Sequence, residues 1–70
     1  MKFSVDDYFL PYTDGKREIQ MHLNAPTAVS QILVDIHIQV WEEPKVKLNG
    51  QDCEDMNTLV KDQDEVYVYH

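Results

Sequence analysis

The side chains able to do chemistry are few and scattered. The histidines are His22, His37 and His70, and the only cysteine is Cys53. A zinc site needs imidazole or thiolate ligands at short spacings of the H-x3-H or CxxC kind, and neither spacing occurs. His22 also falls on the outward phase of an alternating segment. No metal site is therefore expected, only three independent surface histidines. Asp52, Glu54 and Asp55 form a loose carboxylate group without the ligand positions of a calcium loop. With Gly15 and Gly50 as the only glycines, a glycine-rich phosphate loop is absent. Cys53 lies in a polar stretch with no close basic neighbour to lower its pKa, and no Ser or Cys occupies a nucleophile turn. No catalytic residue and no cofactor are expected, and the chain is not expected to be an enzyme.

What remains is a surface that could bind. The stretch Glu65-Val66-Tyr67-Val68-Tyr69-His70 alternates strictly, with Val66 and Val68 on one phase and Tyr67 and Tyr69 on the other. Lys45-Val46-Lys47-Leu48 alternates in the same way, with Val46 and Leu48 directed inward. If the valines face the core, the two tyrosines lie on the open side of a sheet. Lys45 and Lys47 share that side wherever the two strands are neighbours. Exposed aromatics beside cations are typical anchors for a partner protein. Tyr67, Tyr69, Lys45 and Lys47 are the expected partner-binding residues.

The elements that must position them follow from the periodicity. Phe3 and Val5 alternate with Lys2 and Ser4, a half-buried strand within Lys2 to Phe9 that Asp6-Asp7 should bend. Pro11 and Asp14-Gly15 mark a connection. Glu18 to Leu23 alternates again, and this second strand should run antiparallel to the first. Val29, Ile32, Leu33 and Ile36 recur at helical spacing, with Thr27 or Asn24 as the expected N-cap and an end between Ile36 and Ile38. Trp41, in the connection that follows, is expected to cover one end of the core. Lys45 to Leu48 is the third strand, Asn49-Gly50 a hairpin-type turn, Leu59-Val60 a short irregular stretch, and Glu65 to His70 the last strand. The expected fold class is α+β: a four-stranded mixed sheet with one helix packed across it.

Seventy residues allow one domain, 1–70. Asp and Glu outnumber Lys and Arg by 13 to 6, a formal net charge of −7. That charge repels phosphate backbones and anionic lipid, so neither nucleic acid nor membrane is an expected partner. No apolar run approaches the roughly 20 residues of a membrane span, and Asp6-Asp7 interrupts the start as no secretory signal does. A cytoplasmic monomer is expected.

The order strand, strand, helix, strand, short stretch, strand is that of the β-grasp, or ubiquitin-like, plan. Within that plan the chain resembles the ThiS/MoaD sulfur-carrier family in three segments. Ala25-Pro26-Thr27-Ala28-Val29-Ser30-Gln31-Ile32-Leu33 is similar to the family's Pro and Thr before a "TVxELL" helix. Val46-Lys47-Leu48-Asn49-Gly50-Gln51 resembles its "VxVNGE" strand and turn. Leu59-Val60-Lys61-Asp62-Gln63-Asp64-Glu65-Val66 resembles "PLKDGDEV", with Gln63 where the family has Gly. The resemblance implies a β-grasp fold whose last strand lies between the first and third. It also implies a protein partner of the adenylating or sulfur-transfer class, and a place in thiamine- or molybdopterin-type cofactor biosynthesis. Family carriers end in a flexible Gly-Gly tail whose carboxylate is adenylated and converted to a thiocarboxylate. This sequence instead closes on Val66 to His70, which is expected to hold the terminal carboxylate of His70 against the globule. A non-catalytic interaction module is therefore the expected function. A true sulfur carrier with its tail beyond this sequence and a TGS-like regulatory ligand-binding domain are the alternatives.

Overall fold

The computed structural model describes residues 1–70. Strand β1 spans Lys2–Val5, followed by a 3-10 segment over Asp7–Thr13 and β2 over Glu18–Gln20. Strand β3, Thr27–Ala28, leads directly into helix α1, Val29–Ile36. A second 3-10 segment, Val40–Glu42, precedes β4, Lys45–Leu48. Strands β5, β6 and β7 occupy Gln51–Cys53, Leu59–Val60 and Glu65–Tyr69. The fold is α+β. Its main sheet is mixed and runs β2-β1-β7-β4-β5, with β1 and β7 parallel and the other neighbours antiparallel.

The expected four-stranded sheet is thus corrected to five strands, with a second small sheet of β3 and β6. Strand β5 escapes pattern reading because it is an edge strand with little to bury: Gln51 and Asp52 are exposed and only Cys53 is half-buried. Its existence follows from the turn before it. Asn49 and Gly50 hold φ of 52° and 83°, the positive pair of a type I′ turn, whose twist suits a two-residue hairpin. The short stretch expected at Leu59-Val60 is paired, Ala28 opposite Leu59 and Thr27 opposite Val60.

The core lies between the sheet and α1. Phe3, Phe9, Val29, Ile32, Val60, Val66 and Val68 are wholly buried. Burial of each such side chain contributes about 1.5–3 kcal/mol relative to exposure. Phe9 reaches the core from the first 3-10 segment, not from a strand. Asp6, read from the sequence as a bend, is its N-cap: the Asp6 carboxylate accepts from the Phe9 N–H at 3.3 Å. The strand expected as far as Phe9 therefore stops at Val5.

Helix α1 is not capped by Thr27 or Asn24. Ala28 holds the N-cap position without a side-chain bond. The first helical N–H groups donate instead to loop carbonyls, Val29 to Thr58 at 3.0 Å and Ser30 to Met56 at 2.9 Å. The helix closes as expected near Ile36. His37 turns left-handed at φ 71°, and the N–H of buried Ile38 donates to Leu33 at 2.9 Å, the closing bond of a Schellman cap. Trp41 does not cover the core; the second 3-10 segment turns it outward, 74% exposed. The side of β1 nearest β2 is closed by the Met1 ammonium, which donates to the Met21 carbonyl at 2.6 Å and to Asp62 Oδ1 at 3.2 Å.

Candidate functional site: the open face of the sheet

Strand β7 is central, so its side chains are positioned from both flanks. Val66 and Val68 face α1 and are buried, which turns Tyr67 and Tyr69 to the opposite face. Strand β4 sets Lys47 directly across from Tyr67 and Lys45 across from Tyr69. The four residues singled out in the sequence thus come together on one face. The register extends this into a row across all five strands: Glu18, Ser4, Tyr67, Lys47 and Asp52 are successive partners.

The rings of Tyr67 and Tyr69 stack with centroids 5.5 Å apart and an interplanar angle of 14°. Lys47 Nζ lies 5.9 Å from the Tyr69 ring centroid, within the range of a cation–π contact. Tyr69 Oη donates to Asp52 Oδ1 at 3.3 Å. Burial of the phenol raises the Tyr69 pKa, and the nearby Asp52 charge and hydrogen bond raise it further. Tyr69 is in any case a neutral donor at neutral pH, and the shift moves its ionisation further from that range. Beside the patch, Lys2 bridges Glu18 at 3.4 Å and Glu65 at 3.9 Å. Tyr67 is 37% exposed and Lys45 is exposed, so an aromatic plane and a cation are both offered to solvent.

Asp52 and Ser4 are part of this face and were missed by pattern alone. A signal for Asp52 existed: a two-residue turn at Asn49-Gly50 makes 48 oppose 51 and 47 oppose 52. Next to Tyr69 a cleft of about 420 Å³ is lined in part by Lys45, Asp52, Cys53 and Met56. The Cys53 thiol points to the Asp55 carbonyl oxygen at 3.5 Å.

The remaining candidates lie apart. His22 Nδ1 sits 3.6 Å from Asp62 Oδ1, His37 ends α1, and His70 stacks on Tyr8 with centroids 3.9 Å apart. The His70 N–H donates to Asp6 Oδ2 at 2.8 Å, so the residue after β7 is held to the globule. No three His, Cys, Asp or Glu side chains gather in a metal-binding group. No helix is long and apolar enough to cross a membrane. Gln63 does not take the positive φ that glycine would favour; the turn is built instead from Asp64, whose carboxylate accepts from the Lys61 N–H at 2.8 Å and from Asn49 Nδ2 at 3.1 Å.

Comparison with protein-family models and with curated proteins finds no match for this chain.

Proposed function

We propose that the chain is a β-grasp protein acting as a non-catalytic protein-interaction module through the open face of its sheet. The observation that carries this reading is the paired array of Tyr67 opposite Lys47 and Tyr69 opposite Lys45. Stacked aromatics lose little side-chain entropy on binding, and adjacent cations add directional attraction for acidic or carbonyl-rich partner surfaces. The β-grasp assignment is supported by the strand order, by the central parallel pair β1/β7, and by the helix carried between β2 and β4. The ThiS/MoaD-like resemblance of segments 25–33, 46–51 and 59–66 suggests the setting: a partner from sulfur transfer or from thiamine- or molybdopterin-type cofactor assembly.

The test is capture from an extract of the native cell by the immobilised chain and by a Tyr67→Ser/Tyr69→Ser variant. Both side chains lie on the open face, so circular dichroism and the melting transition of the variant should stay near those of the parent. The expected result is a protein retained by the parent and lost by the variant, with an adenylating or sulfur-transfer enzyme as the predicted identity. Equal capture by both chains would refute the role of the face.

A further inference from the structure

A second surface stands on the helical side of the molecule. A groove of about 400 Å³ runs between α1 and the Val40–Glu42 segment. Its apolar lining is buried Leu33 and Ile38, half-buried Met56 and exposed Val34 and Val40. Val34 is 61% and Val40 89% exposed, and exposed Trp41 follows Val40 in sequence. Large aliphatic side chains grouped in this way on a chain of 70 residues leave an apolar patch in water, which marks binding surfaces more often than chance.

The charge around the groove selects its occupant. Glu43 and Glu54 line it, and none of the six Lys and Arg does. Asp35 and Glu42, on the same two elements, do not line it; their carboxylates accept from Gln31 and Tyr12. A second copy of this chain would bring acidic rim against acidic rim at a net charge of −7 each, and an acidic peptide or anionic lipid would be repelled likewise. We infer that the groove between α1 and the Val40–Glu42 segment docks an amphipathic helix whose apolar stripe is flanked by Lys or Arg. Apolar side chains of the incoming helix fill the space over Leu33, Ile38 and Met56 and cover Val34 and Val40. Its cations meet Glu43 and Glu54. Helix-in-groove recognition of this kind reads anchors at helical spacing. The inference is independent of the open-face reading, because none of Tyr67, Tyr69, Lys45 and Lys47 lines the groove.

Trp41 supplies the readout, since it is the only tryptophan and directly follows Val40, which lines the groove. The full chain is titrated with a model peptide of Leu and Lys at amphipathic helical spacing, and with its counterpart carrying Glu for Lys. Trp41 emission, amide shifts and sedimentation are followed. The expected result is saturable binding of the Lys peptide, a blue shift of Trp41, and amide shifts centred on Val34, Val40 and Met56. Affinity should fall about tenfold or more in a Val34→Ser/Val40→Ser variant. It should fall with salt and in a Glu43→Gln/Glu54→Gln variant. The Tyr67→Ser/Tyr69→Ser variant should bind as the parent does. Absence of saturable binding, equal affinity for the Glu peptide, indifference to Val34→Ser/Val40→Ser, or self-association through this face would each overturn the inference.

Discussion

His37 is the residue at which local strain is clearest. It holds φ at 71° to end α1, a conformation in which a Cβ crowds the following carbonyl and costs on the order of 1 kcal/mol. Glycine meets no such contact, and His37 is exposed, so its ring gives little in return. His37→Gly should therefore stabilise the domain by about 1 kcal/mol, raising the melting temperature by roughly 4–8 °C. A calorimetric scan that shows no rise would mean the imidazole makes a compensating contact. The same scale shows what the sequence could not announce. Trp41 reads as a core residue because large aromatics usually are, but no neighbour in sequence reports that a 3-10 turn aims it outward. Tyr67 and Tyr69, by contrast, were legible, because strict alternation with two valines leaves only one face for each.

At the scale of elements, legibility followed how much each element buries. Strands β4 and β7 and helix α1 bury or half-bury their apolar phase, and their patterns are plain in the sequence. Strand β5 buries almost nothing, and the Asp7–Thr13 segment buries Phe9 through a turn that has no two-residue period, so both escaped. The connection Lys61–Asp64 shows in the sequence as a polar break between Val60 and the last strand, but its chemistry does not. Its two aspartates do the holding. Asp62 accepts from the Leu23 N–H and the Met1 ammonium, and Asp64 from the Lys61 N–H and Asn49. These bonds, the backbone ones foremost, lower both pKa values below 3.8. A carboxylate with a depressed folded-state pKa contributes stability that is present above its unfolded pKa and is lost as pH falls through the folded value. The domain should therefore lose stability as pH drops from about 5 through 3.8 and lower. Asp62→Asn and Asp64→Asn should flatten that limb of a melting-temperature profile while lowering its plateau at neutral pH. A profile of the Asp62→Asn/Asp64→Asn variant parallel to the parent's would show that other carboxylates govern the acid limb.

The whole molecule is organised around β7, which pairs with β1 on one side and β4 on the other. All four residues of the proposed open-face patch belong to this strand and its β4 neighbour, so the patch sits on the most supported part of the sheet. The edges are the converse. Strand β2 has three residues and β5 three, each paired on one side only. A chain of 70 residues has a total stability of roughly 4–10 kcal/mol, too small for many independent subunits of unfolding. Opening β7 requires separating both its neighbours and exposing Val66 and Val68, which amounts to losing the core. Opening β5 exposes little beyond Cys53. Native-state hydrogen exchange should therefore divide the sheet: Val66 and Val68 amides exchange only through global unfolding, with the full denaturant dependence, while the protected amides of Gln51–Cys53 exchange through local opening with a shallow one. Val68 is the decisive position because it lies close to the carboxyl-terminal end of β7. If its amide exchanged as fast as those of β5, the strand would be fraying from that end, and the tyrosine–lysine face would not be the fixed platform on which the proposed binding rests.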